Sequence, residues 1–449
     1  MKNNSSPRYL ALKTLLSAEK NGKYINLASD AELNSANMSA QDKALFTSLV
    51  YGVTERRITL DYIIAAMSSR GTSHIEPRVM GILRLGLYQI IYLDKIPVHA
   101  AVNETVALTK NKGEGSFVNA ILRNYIRDGQ SRVLFPKKED SVSRYLSVRY
   151  SFPEWICESL IADYGAEDAE GILMAFSSSA PAPTLRANTL VTDKEALIRS
   201  ISEAGIECDC TPYSPYGIKL SHSTNVTTLE GFSDGAFFVQ DEASQISTKV
   251  LDPQAGETII DTCSCPGSKS FGAAIEMKNE GKVYSFDLHK NKLSLVSSSA
   301  KRLHINIIEA NERDARESDP SLLSKADRVI CDVPCSGLGV MAKKPDIRYK
   351  SEEDIKKLPA LGLEILKQSA QYLRKGGVLL YSTCTLKKDE NELTVQKFLE
   401  AEPSFSLCPF TVPSRDPDTP DIVSDGMLTL MPHIHKTDGF FIAKLIKNH

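Results

Sequence analysis

Strand-like and helix-like segments alternate from residue 255 to the end of the chain, and this alternation restricts the fold more than any other feature. The strand-like segments are 257–263, 282–288, 306–311, 326–334, 376–385 and 440–447. Helix-like segments lie between them at 290–303, 352–374 and 388–402. Strands and helices at this spacing predict a doubly wound α/β sheet, in which ligands bind beyond the carboxyl ends of the strands.

The N-terminal third has a different pattern, because residues 5–130 carry apolar residues at helical spacing and no strand-like alternation of useful length. Leu60, Ile63, Ile64 and Met67 form an i, i+3, i+4, i+7 stripe, which is typical of a helix that packs one face into a core. The polar stretch 128–142 is typical of a linker. We therefore predict an all-α domain over residues 1–135.

Residues 143–236 mix both patterns and predict a small α+β segment. The expected elements are a helix from Pro153 to near Gly165, a strand over 183–190 and a helix over 193–207. The remaining residues, 237–449, then form the α/β domain. No internal repeat and no low-complexity segment interrupts this plan.

Composition is that of a folded protein, with 42% hydrophobic and 24% charged residues among 449. No apolar run reaches the ~18 residues of a membrane span, and the first residues lack a signal-peptide pattern, so we expect a cytoplasmic protein that does not enter a membrane. Nine cysteines in such a chain predict reduced thiols and no disulfide framework.

Charge is unevenly distributed, although the net charge is only −3. Residues 1–140 contain 19 basic and 13 acidic side chains, whereas the remainder carries a net −9. A basic N-terminal block fits a domain that faces the phosphates of a nucleic acid. A solvated helical surface explains the same charges equally well.

The polar residues at the predicted strand ends suggest a nucleoside-binding site. The first strand leads into a small-residue turn, Cys263, Ser264, Cys265, Pro266, Gly267, Ser268 and Lys269, whose backbone N–H groups can approach an anionic ligand. Asp287 ends the second strand, where an acid can bind both ribose hydroxyls. Asp314 follows the third strand and can accept from an adenine amino group. The turn lacks G-x-G-x-x-G, which argues against a dinucleotide enzyme.

Two cysteines carry the sharpest chemical signal. Asp332, Cys335 and Cys384 lie just past strands that we predict to be neighbours. Carbon 5 of cytosine is a poor nucleophile, but a thiolate that adds at carbon 6 makes it able to attack a sulfonium methyl group. A second base must then remove the carbon-5 proton, and Asp332 can hydrogen-bond the ring nitrogen N3. Two buried cysteines without chemistry are the alternative interpretation.

The run from Phe237 to Glu400 resembles the catalytic domain of the RNA cytosine-C5 methyltransferases of the Sun/Fmu family. The motifs that carry the resemblance are VQDEAS, DTCSCPGSKS, DARES, DVPCSGLGV, KKPDIRY and YSTCTL, in that order, with DGFFIAKL near the end. Residues 1–130 resemble the NusB-type RNA-binding domain in ALKTLL, VYGVTERR, PVHAAVNETVALTK and SFVNAILRN. The combination resembles the bacterial RsmB-type 16S ribosomal RNA enzymes.

This resemblance implies roles for individual residues. S-adenosylmethionine would bind to residues 263–269, Asp287, Asp314 and Asp332. Cys384 would attack the base, and Cys335 would assist release. A basic loop of Lys343, Lys344, Arg348 and Lys350 would lie near the RNA.

The chain departs from the family pattern at two places. The family usually has the motif Ala-Ala-Pro-Gly-Gly-Lys, whereas residues 264–269 of this chain are Ser-Cys-Pro-Gly-Ser-Lys. Cys265 replaces the second alanine and Ser268 replaces the second glycine, and serine tolerates positive φ less well than glycine. Tyr349 stands where the family often has Trp, and it keeps a stacking ring.

Two other functions stay open, namely a tRNA cytosine-C5 methyltransferase and a decayed RNA-binding or assembly factor. The C-x-C pairs do not match the spacing of structural zinc sites, so we predict no metal site. We also predict that the protein is a monomer.

Overall fold

The computed structural model describes residues 6–21, 25–35, 38–178, 182–222, 224–412 and 422–448. The chain forms two compact units, one of residues 1–177 with 344–350 and one of residues 178–343 with 351–449. The predicted boundary near residue 143 therefore does not separate two units. Helical residues beyond it are tied to the bundle, since Ser151 Oγ accepts from Ile58 N at 3.0 Å and Thr59 Oγ1 donates to Val148 O at 2.6 Å.

The first unit is all helical, as predicted. Its helices are α1 (Pro7–Asn21), α2 (Ile25–Ser35), α3 (Ala40–Glu55), α4 (Arg57–Met67), α5 (Pro77–Tyr92), α6 (Val98–Val106), α7 (Lys112–Arg132), α8 (Val142–Tyr150) and α9 (Glu154–Ser178). The predicted stripe of α4 is buried along its whole length. Gly165, where the sequence predicts that a helix ends, has φ 84° and a non-helical backbone, so the first helical segment of α9 ends there as predicted.

The second unit begins with a small antiparallel sheet. Its elements are β1 (Thr184–Ala187), α10 (Lys194–Glu203), β2 (Cys208–Cys210), β3 (Gly217–Leu220) and β4 (Phe237–Val239). The strand order is β2-β3-β1-β4. The expected strand and helix of this segment correspond to β1 and α10, whereas β2, β3 and β4 were not predicted.

The larger part of this unit is the predicted doubly wound sheet. Its helices are α11 (Glu242–Leu251), α12 (Ser268–Glu276), α13 (Lys290–Arg302), α14 (Glu352–Ile355), α15 (Leu358–Ala370), α16 (Glu392–Ala401) and α17 (Pro432–His435). The strands of this sheet are β5 (Thr258–Asp261), β6 (Lys282–Asp287), β7 (Ile308–Glu312), β8 (Ala326–Asp332), β9 (Leu373–Thr383), β10 (Phe405–Leu407), β13 (Met427–Leu430) and β14 (Phe440–Lys447). Strands β11 (Phe410–Val412) and β12 (Ile422–Ser424) form a separate two-stranded sheet. The helix expected over 352–374 is two helices, and Pro359 opens the second.

Strand order decides where a ligand can bind. The order is β10-β14-β9-β8-β5-β6-β7, in which β5 to β9 are parallel and β14 is antiparallel to β9. The chain runs from β5 to β6 on one side and later returns to β8 on the other. This reversal opens a crevice beyond the carboxyl ends of β5 and β8.

Two apolar cores hold the sheet in place. Ile259 and Ile260 are successive residues of β5, and both are fully buried in different cores because neighbouring side chains of a strand point to opposite faces. Ile246 of α11 and Val296 of α13 belong to one core. The other core includes residues of α15 and α16. Helices on both faces thus fix the strand ends that carry the polar residues.

Candidate active site

The turn between β5 and α12 is held against the end of β6. Ser264 N donates to Phe286 O at 2.8 Å, and Cys265 N donates to Asp287 Oδ2 at 3.2 Å. Gly267 has φ 105°, and a Cβ there would lie 2.5 Å from the Phe271 ring. Ser268 is the first residue of α12, so the positive φ of the turn falls on glycine and not on the serine.

Two of the predicted cofactor-binding acids lie at or just past the carboxyl ends of the adjacent strands β6 and β7. Asp287 accepts from both Cys265 N and His289 N, the latter at 2.9 Å, which orients its carboxylate. Arg313 N donates to Asp287 O, which brings the loop containing Asp314 to the same edge. The Arg316 side chain donates to both oxygens of Asp314 and lowers the pKa of this carboxyl group. Sequence reasoning missed this arginine.

Lys269 reaches across the crevice to Asp332. Its Nζ lies 2.7 Å from Asp332 Oδ2, while Ser382 Oγ donates to Asp332 Oδ1 at 2.7 Å. Burial lowers the pKa of Lys269, but the Asp332 charge and hydrogen bond outweigh burial, so the net direction is upward. The Lys269 ammonium therefore stays charged, and Asp332 has a fixed orientation at the end of β8.

The two predicted reactive cysteines are in contact. Asp332 of β8 pairs with Ser382 of β9, so the loops that follow these strands start side by side. The Sγ atoms of Cys335 and Cys384 are 3.3 Å apart. The hydrogen bond with Cys384, together with burial, raises the pKa of the Cys335 thiol well above its ordinary value. The structure therefore brings together two thiols that the sequence could assign only to the ends of neighbouring strands.

The predicted basic loop is wrong for Arg348. This side chain is fully buried within the first unit, where Nη1 donates to Glu55 O at 3.0 Å and Ser151 O at 3.1 Å. Its guanidinium also lies 3.9 Å from the centre of the Phe152 ring. Carbonyl acceptors and an aromatic face satisfy the charge internally, so it is not presented to a ligand.

The other members of that loop differ in their exposure. Lys343 Nζ binds the carboxylates of Asp241 and Asp438, the latter at 2.8 Å, so it lies inside an ion-pair cluster. Lys344 is exposed and Lys350 is half-buried. The Tyr349 ring, expected as a stacking surface, lies 3.5 Å from the Arg57 guanidinium, and its hydroxyl donates to Thr54 O at 2.8 Å.

Three further polar residues, at the end of β5 and in the turn before α16, were not predicted. Asp261 is fully buried at the end of β5, and burial raises its pKa to about 7, against the opposing effect of the Ser270 hydroxyl. Glu390 and Asn391 precede α16 and bond the residues next to the two cysteines. Their only signal in the sequence is the polar run KDENE after the strand.

Family models match three consecutive parts of the chain. The model described as NusB family matches residues 5–127, and a ferredoxin-like domain model of RsmF/B-like methyltransferases matches residues 152–227. The model described as 16S rRNA methyltransferase RsmB/F matches residues 248–446. The resemblance drawn from the motifs is thereby confirmed.

Solved structures show the same fold. The crystal structure of the protein PH0851 is similar over 100% of both chains, with a TM-score of 0.80 and 26% identity. A methyltransferase homolog from Pyrococcus horikoshii is similar over 68% of this chain and 99% of that one, with a TM-score of 0.59 and 25% identity. Among the described residues, no helix combines the length and apolarity needed to cross a membrane.

Full-length relatives identify the family. The probable ribosomal RNA small subunit methyltransferase B of Bacillus subtilis is 38% identical over 99% of both chains. The ribosomal RNA small subunit methyltransferase B of Klebsiella pneumoniae is 30% identical over 100% of this chain and 99% of that one. With this identity along its whole length, the chain belongs to the ribosomal RNA small subunit methyltransferase B family and is an RNA methyltransferase with a NusB-like N-terminal domain.

Proposed function

We propose that this chain transfers a methyl group from S-adenosylmethionine to carbon 5 of a cytosine in 16S ribosomal RNA. In this proposal Cys384 forms a covalent bond to carbon 6, and Cys335 assists release. The observation that carries the proposal is the 3.3 Å contact between the two Sγ atoms beside Asp332. Carbons 5 and 6 are bonded neighbours of one ring, so two thiols in contact can serve both atoms.

The cofactor part of the proposal rests on residues 263–269, Asp287, Asp314 and Asp332. The donor set fits an adenosine, because oriented carboxylates stand at the ends of two adjacent strands next to a turn that opens a helix. S-adenosylmethionine, when bound, supplies the methyl group. Arg316 already bonds both oxygens of Asp314, so an adenine amino group would share this carboxylate with it.

The protein side chains then divide the remaining chemistry. Cys384 adds to carbon 6, which makes carbon 5 nucleophilic, and Asp332 stabilises the base at N3. Lys269 and Ser382 hold Asp332 for this role. Cys335, in its thiolate form, takes the carbon-5 proton, the electron pair of that C–H bond forms the C5=C6 double bond, and the S–C6 bond breaks to return Cys384 as a thiolate. The contact between the two sulfur atoms supports this role, because it puts Cys335 beside the same ring as Cys384.

The substrate assignment draws on the relatives, which are named for the small ribosomal subunit RNA. Of the four predicted RNA-binding residues, exposed Lys344 and half-buried Lys350 remain in the proposal. Lys343 remains only as a structural neighbour of the site, because its charge is balanced by Asp241 and Asp438.

The test is methyl transfer from labelled S-adenosylmethionine to unmodified 16S RNA and, separately, to unmodified transfer RNA, with bisulfite mapping. We expect one protected cytosine in 16S RNA. Label on transfer RNA alone would overturn the substrate assignment. No label on either RNA by a folded protein would favour a binding factor without catalysis.

Two variants test the covalent mechanism. Cys384→Ala should abolish transfer, whereas Cys335→Ala should accumulate a protein–RNA adduct that survives denaturing electrophoresis. Cys210→Ala, a change at an exposed thiol on β2, is the matched control and should behave as wild type. An inactive Cys335→Ala protein without adduct would refute the assigned roles.

A further inference from the structure

We propose that Glu390 and Asn391 form a positioning clamp, in which each residue holds the loop of one reactive cysteine. The inference rests on the proposed function, because it assigns the two cysteines to separate steps. Glu390 would set the place of Cys335 and thereby the release step. Asn391 would set the place of Cys384 and thereby the attack.

Glu390 holds the residue that follows Cys335. Its Oε2 accepts from Ser336 N at 2.8 Å, and its backbone oxygen accepts from the Tyr381 hydroxyl at 2.7 Å. Glu390 is 2% exposed and Ser336 is fully buried. A buried carboxylate is costly unless it is bonded, so this contact ties the Cys335 loop to the turn before α16.

Asn391 holds the residues on both sides of Cys384. Its Nδ2 donates to Thr385 O at 3.0 Å, and its Oδ1 accepts from Thr383 Oγ1 at 2.6 Å. An asparagine at the N-cap of a helix usually accepts a hydrogen bond from a backbone N–H group of the first turn. Asn391 is the N-cap of α16, and its side chain makes no such bond. The side chain of Asn391 is directed to the Cys384 segment instead.

The sheet alone does not fix the two thiols. The pairing of β8 with β9 ends at Asp332 and Ser382, and Cys335 lies three residues further along. Beyond that point the loops are joined by the hydroxyl contact of Ser336 with Thr385 at 2.7 Å and by Gly339 N, which donates to Cys384 O at 2.9 Å. The clamp holds both residues of the first contact, so residues 390 and 391 contribute to the separation of the two sulfur atoms.

The two halves of the clamp should fail differently. In Glu390→Ala the Cys335 loop loses its anchor, attack by Cys384 continues, and slow release lets the covalent RNA adduct accumulate. In Asn391→Ala attack itself is slowed, so turnover falls without adduct. A misplacement of about 1 Å costs on the order of 100-fold in rate, and we expect a loss of that order in each variant with the KM for RNA unchanged.

Conservative variants separate position from general stability. Glu390→Gln keeps an oxygen acceptor for Ser336 N and should restore most of the turnover and remove the adduct. Glu400→Ala, at an exposed acid of α16, is the matched control and should match wild type. If an alanine variant does not fold, Glu390→Asp and Thr383→Val weaken the same two contacts more mildly. Glu390→Asp should then accumulate the adduct, whereas Thr383→Val should lose turnover without adduct.

The experiment is steady-state methylation of 16S RNA by the full chain, which gives turnover and KM, with denaturing electrophoresis for the adduct. Cys335→Ala is run in parallel. Absence of adduct in Cys335→Ala refutes the proposed function. A second outcome is that Cys335→Ala forms adduct, but Glu390→Ala and Asn391→Ala lose equal activity and do not differ in the amount of adduct. This outcome refutes the clamp and leaves the proposed function in place.

Discussion

Asp261 is a buried acid whose ionisation opposes folding. Burial raises its pKa in the folded chain to about 7, whereas an aspartate in an unfolded chain titrates near ~3.9. Between these values the folded state keeps a proton that the unfolded state has lost. The stability contributed by this group is therefore complete below about pH 4 and is lost as the pH rises towards 7.

We predict that Asp261→Asn flattens the pH dependence of unfolding. Asparagine resembles the protonated acid, so the free energy of unfolding of the variant should fall less between pH 4 and 7 than that of wild type. Urea unfolding followed by far-UV circular dichroism measures this difference. Asp438, whose pKa burial also raises to about 7, is present in both proteins and cancels in the comparison. Equal slopes in the two proteins would contradict the prediction.

Single residues also show how far the sequence could predict the site. Asp287, Asp332 and the two cysteines could be predicted as site residues because acids and thiols at strand ends stand out in a strand–helix alternation. The partner of Asp332 was not found, because Lys269 is 63 residues away and the contact exists only once β5 and β8 are neighbours. A local sequence pattern therefore cannot predict contacts that depend on the order of strands in the sheet.

Helix α12 depends on an arginine from the small sheet. Arg186 of β1 is fully buried, and its Nη2 lies 2.9 Å from Glu276 Oε1 at the end of α12. The Tyr216 ring lies 5.0 Å from the guanidinium, and the Tyr216 hydroxyl donates to Glu276 at 3.2 Å. The helix that opens from the predicted cofactor turn is thus fixed at its far end by a buried ion pair.

We predict that Arg186→Met destabilises the second unit by about 3–5 kcal/mol, because it leaves a mostly buried carboxylate without its cation. The double variant Arg186→Met/Glu276→Gln should lose less, since it removes that charge as well. Lys282→Met breaks an exposed pair with Glu309 and should change little. Urea unfolding by circular dichroism compares the four proteins, and an Arg186→Met loss no larger than that of Lys282→Met would refute the role.

The strands of three residues in the second unit were the hardest to predict from the sequence. β14 was expected at 440–447 and lies at Phe440–Lys447, because eight residues give a clear apolar run. Strands β2 and β4 have three residues each, which is too short for alternation to differ from chance. The position of β2 is set by pairing with β3, and that of β4 by pairing with β1. A local sequence pattern does not encode these pairings.

At the scale of the whole molecule, the chain enters its first unit twice. Residues 344–350 follow the Cys335 loop in sequence, yet they pack with residues 1–177. The basic character of this segment predicted RNA contact, since a cluster of lysines and arginines is typical of an exposed phosphate-binding loop. Charge alone cannot tell a solvated arginine from one that bonds buried carbonyls, and that difference decides what Arg348 does.

We predict that Arg348→Met destabilises the first unit without changing the salt dependence of RNA binding. The two bonds to Glu55 O and Ser151 O come from a charged donor, and each such bond is worth roughly 1.5–3 kcal/mol. Trp155, the one tryptophan of the chain, lies in α9, so its fluorescence during urea unfolding reports on this unit. Lys344→Met, at an exposed site of the same segment, is the control and should leave the midpoint unchanged. If Arg348 instead contacted phosphate, Arg348→Met would keep the midpoint and lower the slope of log affinity against log salt by about one, because one fewer counterion would be released on binding.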